Sequence, residues 1–239
     1  DNTSYQQYEM TSKDGVTGMI GGYVNTDAKN SDQYAFYLVQ AGIGLPDRDY
    51  YFDPKYKDKL AAYTPHVERM LTLAGIPDAA KRAPAIVKFE TTLAKSHWTQ
   101  VESRDDTKTY NPKTQEELVK LAPGVDFKRY FTTLGMAVQG DMIVSQPSYF
   151  TGMAKAIEST PLATLKDWMK WSVINQYASL LNKEIVDADF AFYGTTLKGT
   201  PENRPRWKRG VEAVEVGLGE AVGKIYVARH FPPEAKQRM

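Results

Sequence analysis

A mainly α-helical domain carrying one small β-hairpin is the fold class this sequence predicts, and three observations support it. Trp207, Val211, Val214, Leu218, Val222 and Ile225 recur at steps of four, three, four, four and three, the apolar stripe of an amphipathic helix. Two other long segments open on helix-start chemistry, Asp53-Pro54 and Thr160-Pro161, and then carry apolar residues at helical spacing. Only residues 16–25 and 33–40 have the aromatic and β-branched content of paired strands. No repeat, linker or low-complexity tract divides the 239 residues, so residues 1–239 are expected to form one domain.

In chain order, residues 1–14 are polar and unpatterned. Residues 16–25, VTGMIGGYVN, are a strand diluted by glycine, and 33–40, QYAFYLVQ, a clearer one. Asp27, Lys29, Asn30, Ser31 and Asp32 between them supply turn chemistry. The run AGIGLPDRDYYFDP at 41–54 is irregular. Asp53-Pro54 then opens a helix to about Ala74, stopped by Gly75, with Pro65 as a kink or a restart. A second helix is expected over 78–98, where Ile86, Glu90, Leu93 and His97 mark a stripe. The charged stretch Glu102, Arg104, Asp105 and Lys108 predicts a salt-bridged helix end and an ordered loop closed by Tyr110-Asn111-Pro112. Short helices follow near 114–121 and 126–134, a brief strand at 142–144, a helix over 147–159, and a long helix from 161 to about 181. In the final helix a second row, Ala213, Gly217 and Ala221, predicts a closely packed neighbour, because glycine inside a helix costs about 1 kcal/mol against alanine. Trp207 heads the apolar stripe and is expected to be buried, so that its truncation would cost roughly 3–5 kcal/mol.

Thirty Lys and Arg against 29 Asp and Glu leave a net charge of +1, and no global field draws the chain to nucleic acid or anionic lipid. The basic run Arg204, Arg206, Lys208 and Arg209 is interrupted by Pro205 and Trp207 and is read as a solvated helix start. No apolar run approaches the roughly 20 residues of a membrane span. Without cysteine, disulfides and thiol chemistry are excluded.

Asp47, Arg48 and Asp49, beside Tyr50 and Tyr51, are a candidate acid–base cluster. Burial raising one carboxyl would suit proton transfer; alternatively Arg48 bridges both carboxylates and pins the loop. The second reading is adopted. Asp47, Arg48, Asp49, Tyr50, Tyr51 and Trp207 are therefore expected as structural residues, and no catalytic or metal-binding residue is assigned. A zinc hydrolase needs about three protein ligands and a carboxylate base, most economically as His-Glu-x-x-His on a helix. His66, His97 and His230 are scattered, and the nearest fragment, His66-Val67-Glu68, fails at Met70. No nucleophile elbow, P-loop or Rossmann glycine pattern occurs.

Three stretches nevertheless resemble one family. Gln40, Gly42, Gly44, Leu45, Pro46, Arg48, Asp49, Tyr50 and Tyr51 fit a Q-x-G-L-G-L-P-x-R-D-Y-Y run, with Ile43 in place of leucine. Glu90, Leu93, Ala94, Trp98, Glu102, Arg104, Asp105, Lys108, Tyr110 and Asn111 fit a second pattern. Pro205, Trp207, Arg209, Gly219, Glu220, Ala221, Gly223, Tyr226, Phe231, Pro232, Glu234, Ala235 and Lys236 fit a third. The chain resembles the neprilysin and endothelin-converting enzyme family of zinc metallopeptidases from about residue 15 onward. That resemblance implies a largely helical, non-catalytic region facing a separate zincin catalytic domain across a cavity and admitting short peptides. It implies zinc in the parent enzyme and none in this chain, with the catalytic domain and short peptides as partners. It favours a periplasmic or secreted location, with the cytoplasm as the alternative. Two arginines that bind the substrate carboxylate in some members lie upstream, so no substrate residue is carried over. Gly210 stands where secreted animal members often have cysteine, implying a bacterial-type member. The first residue is Asp1, and Met239 falls in what resembles the first turn of a further helix, so a piece of a longer protein is expected. The competing expectation is a separate helical binding or scaffold module without hydrolytic activity. A His-Glu-x-x-His beyond Met239 favours the first reading, a stop codon the second.

Overall fold

The computed structural model describes residues 18–136, 140–231 and 233–238. The expectations for residues 1–17, including the start of the first strand, and for Pro232 lie outside the described residues. The chain runs β1 (Ile20–Asp27), β2 (Asn30–Gln40), α1 (Asp49–Phe52), α2 (Lys57–Leu73), α3 (Ala79–Ser96), α4 (Asp106–Thr109), β3 (Pro112–Lys113) and α5 (Gln115–Leu121). It continues through α6 (Phe127–Thr133), β4 (Met142–Val144), α7 (Pro147–Ser159), α8 (Leu162–Tyr177), α9 (Lys183–Asp189), a π-helical segment (Phe190–Leu197), α10 (Arg206–His230) and α11 (Pro233–Gln237).

The fold is mainly helical, as expected, but the hairpin belongs to a four-stranded sheet of order β1-β2-β4-β3. β1 and β2 pair antiparallel from Ile20↔Gln40 to Thr26↔Tyr34, and β4 joins β2 in parallel at Tyr37↔Ile143. The turn is tighter than its composition suggests, with Asn30–Asp32 already in β2. Asp27 organises it: its carboxylate accepts the Lys29 N–H at 2.8 Å and the Tyr110 hydroxyl at 2.8 Å. Pro112 is tolerated in β3 because the strand lies at the sheet edge.

Side-chain caps mark some of the starts, Asp53 at the single 3-10 turn Pro54–Tyr56 that leads into α2 and Thr114 at α5. Asp53 accepts the Lys55 N–H at 3.0 Å, and Thr114 and Glu117 form a reciprocal capping box. Gly75 takes the left-handed φ of +74° that ends α2, and Pro65 is carried inside that continuous helix. Thr160 caps nothing; its hydroxyl donates back to the Ala156 carbonyl at 2.6 Å, while Pro161 sits at the start of α8. The core lies where α2, α3, α7 and α8 meet, and its largest fully buried side chains include Trp168, Trp171, Tyr63, Tyr149, Phe127 and Phe150. Arg82 of α3 ties α8 to it through both oxygens of Asp167 at 2.6 Å.

Candidate functional site

The glycine-rich loop between β2 and α1 is held from below by one buried carboxylate. Glu90 sits on the core side of α3 and is 1% exposed. Its Oε2 accepts the Tyr51 hydroxyl at 2.8 Å, the Tyr63 hydroxyl at 2.8 Å and the Gly44 N–H at 3.1 Å. Oε1 accepts the Trp171 indole N–H at 3.1 Å. Tyr193, from the π-helical segment, donates to the Gly44 carbonyl at 2.9 Å. Loop, α1, α2 and α8 thus converge on the Glu90 side chain, and the π-helical segment joins them through Gly44. Only glycine fits at 44, since a Cβ there would stand 1.9 Å from the Tyr63 hydroxyl. Burial raises the Glu90 carboxyl above its ordinary range, against the opposing pull of its four hydrogen bonds. Burial likewise drives the Tyr51 and Tyr63 phenols well upward, so both remain donors.

Two histidines border this hub. His66 stacks on Phe192 with ring centres 4.4 Å apart and meets Trp171 edge-on. Its Nε2 is buried without a partner, and burial pushes its pKa down to about 3. His97 directs Nε2 at the Ala41 carbonyl, 3.1 Å away, which assigns the proton to that nitrogen; burial lowers its pKa to about 4. Both imidazoles are neutral structural rings.

The sequence-assigned residues divide here. Tyr51 joins the Glu90 hub, and Tyr50 stacks on Tyr56 at 4.0 Å. Asp47 accepts the Asp49 N–H and the Gln100 side-chain amide, each at 2.8 Å. Arg48 does not bridge Asp47 and Asp49. The Asp47 carboxylate is already occupied by those two amides, and the guanidinium lies 5.6 Å from the Phe52 ring with Nε buried and unpartnered. Asp49 begins α1 and accepts the Asp53 N–H through its backbone carbonyl at 2.8 Å. The sequence showed Glu90 as a member of a stripe and of a family-like pattern, with no role of its own. The available signal was a carboxylate on an otherwise apolar helix face, which a core tolerates only when satisfied.

Trp207 contradicts its expectation outright: it is 67% exposed, and no residue of α10 is buried. The small-residue row is equally open, with nothing within 4 Å of a Cβ placed at Gly217. The stripe faces solvent because no described element packs on it. Trp207→Ala is accordingly expected to change the unfolding free energy of this chain by less than about 0.5 kcal/mol, measurable by urea titration.

A zinc ion finds no cradle among these groups. His66 and His97 are committed to separate aromatic and backbone contacts, and among the described residues no three His, Asp or Glu side chains gather as a metal site. No described helix is long and apolar enough to cross a membrane.

Residues 3–239 match the profile of peptidase family M13. The chain belongs to that family. Endothelin-converting enzyme 1 of Rattus norvegicus is 30% identical over 223 residues, covering 90% of this M13 chain and 29% of its own. The zinc metalloprotease Zmp1 of Mycobacterium tuberculosis, in its open state, is 42% identical with a TM-score of 0.92, covering 97% of this chain and 36% of that one. In its inhibitor complex the same protein is 41% identical with a TM-score of 0.89, over 96% and 35%. PepO of Lactobacillus rhamnosis, at 19% identity and a TM-score of 0.77, shares the fold. The M13 chain spans about a third of the length of these relatives.

Proposed function

We propose that this M13 chain is the mainly helical wall of a zinc metallopeptidase, limiting which peptides reach a catalytic centre outside residues 1–239. It takes no part in bond cleavage. The observation that carries this reading is the match to a zinc metalloprotease at a TM-score of 0.92 over 97% of the chain but only 36% of that protein. The open apolar face of α10 also fits a wall element. Val211, Val214, Val222 and Ile225 are exposed along it, and such a face is ordinarily covered in the working protein. We assign that face to contact with the remainder of the enzyme, with zinc held there and short peptides as substrates.

The test uses the full-length enzyme and a ladder of peptides of increasing length. Val222→Asp and Ile225→Asp place charge on α10 at exposed positions, so this region stays folded. The expected result is that kcat/KM for long peptides rises by about fivefold relative to short ones, while a minimal substrate is cleaved at an unchanged rate. Equal loss on every length, in a folded and zinc-loaded variant, would refute the gating role.

A further inference from the structure

Among the described residues Glu90 is a buried acid with no cation paired to it. Its partners, Gly44, Tyr51, Tyr63 and Trp171, are all neutral donors. The titratable groups facing it are the phenols of Tyr51 on α1, Tyr63 on α2 and Tyr193 on the π-helical segment. α8 contributes the Trp171 indole, and His66 of α2 lies beyond Tyr63, against Phe192. α7 also packs on α3, but its Tyr149 donates to the Met19 and Ala41 carbonyls. The two carboxyl oxygens differ. Oε2 takes three donors, whereas Oε1 takes the Trp171 N–H, which has a second acceptor in the Tyr63 hydroxyl oxygen at 3.3 Å. A proton can settle on Oε1 without stranding the indole. The stretch that Glu90 holds through Gly44 and Tyr51 is anchored at one end by the Tyr149 hydroxyl and His97 on the Ala41 carbonyl, and at the other by the Asp53 cap. Tyr193 at the Gly44 carbonyl and Gln100 at Asp47 help to hold its middle.

We propose that Glu90 is a proton-operated clasp on residues 44–51: the protonated hub holds them closed, and ionisation lets them lift from α3 while the helices stay packed. Burial sets the sign. In the closed state the carboxyl is out of water, and that outweighs its hydrogen bonds, so its affinity for a proton is raised. Once the stretch lifts, water reaches the carboxyl and the affinity returns toward its ordinary value. Opening therefore releases a proton between the ordinary and the raised values, and rising pH across that interval favours the open form. Above the raised value the effect is complete. His97 pulls the other way. It holds Ala41 as a neutral ring, and exposure in acid would let it take up a proton. The Glu90 contribution is consequently the difference between the parent and Glu90→Gln, which cannot ionise. The clasp rests on the buried hub alone and is independent of the gating reading.

NMR of the ¹³C,¹⁵N-labelled 239-residue chain supplies both readouts. The Glu90 carboxyl carbon should titrate above the ordinary glutamate value. Hydrogen exchange at the Gly44 amide, corrected for its intrinsic rate, should lose protection by up to about tenfold per pH unit as pH rises from that ordinary value to the Glu90 midpoint, then level off. The amide of Leu93, a fully buried residue of α3, should stay better protected throughout, which marks the opening as local. In Glu90→Gln the loss of protection should vanish, leaving only the opposite slope from His97. Tyr51→Phe serves as the second variant, because it removes one donor and keeps the carboxyl. It should move the Glu90 midpoint further up. The proposal is overturned by a Glu90 midpoint at or below the ordinary value, by a Gly44 profile in Glu90→Gln that matches the parent, or by a Gly44 amide that exchanges only together with Leu93.

Discussion

Replacing Glu90 with alanine is expected to destabilise this domain by about 4 kcal/mol or more, a large share of the 5–15 kcal/mol that holds a typical domain together. The alanine would strand the Tyr51 and Tyr63 hydroxyls, the Gly44 N–H and the Trp171 indole N–H, all of them buried or half-buried. Unsatisfied buried donors of this kind cost about 1–3 kcal/mol each, although the hydroxyls can rotate toward other acceptors. A cavity term adds to that. Glu90→Gln separates shape from chemistry. Its amide oxygen placed at the Oε2 position keeps three donors satisfied, whereas its NH₂ then faces the Trp171 N–H, donor against donor. Glutamine should therefore cost about 2 kcal/mol, between parent and alanine. Urea unfolding of the three proteins checks the order. If Glu90→Leu proved as stable as the parent, the carboxylate would be a passive occupant of the core and not its tie.

That hub also marks the limit of what the residues alone reveal. Local chemistry was legible: the short helix starting near Thr114, the Gly75 stop and the stripe of Ile86, Leu93 and His97 all appear where their patterns put them. Those signals act over a turn or two of chain. Tyr63 and Glu90 lie 27 residues apart, and Glu90 and Trp171 lie 81 apart, so their meeting depends on how three helices cross. No periodicity encodes that crossing. The error at Trp207 has a different origin. A 3.6-residue repeat states which face of a helix is apolar, not what covers it, and α10 keeps its stripe with no described partner. Arg48 fails for a third reason. Charge adjacency in sequence suggested a bridge, but the Asp47 carboxylate is taken by the Asp49 N–H and by Gln100, 53 positions away. The π-helical turn of Phe190–Leu197 had no sequence signal that we recognised. It depends in part on Gly194, where a Cβ would strike the Phe190 ring at 2.3 Å.

Acid should loosen this domain through His66 and His97. Both fold as neutral rings, with pKa values lowered by burial to about 3 and about 4, against 6.5 in the unfolded chain. Between those values the unfolded chain binds more protons, so stability rises with pH. The contribution is complete above pH 6.5 and is lost as pH falls toward the folded values. Each histidine accounts for about 2 kcal/mol between pH 7.5 and pH 5. Glu90 acts in the opposite sense: its raised carboxyl favours the fold at low pH, and that part is lost as pH climbs through its folded value. The net curve therefore mixes both signs, and a single substitution separates them. His66→Phe keeps the stack on Phe192 and sacrifices no hydrogen bond at Nε2, which has no partner. The variant should lose about 2 kcal/mol less than the parent between pH 7.5 and pH 5, whatever offset the larger ring introduces. Urea titrations of both proteins at the two pH values give this difference directly. An identical fall in the two would mean that His66 is protonated and hydrated in the folded state, and that the aromatic stack around it is open to water.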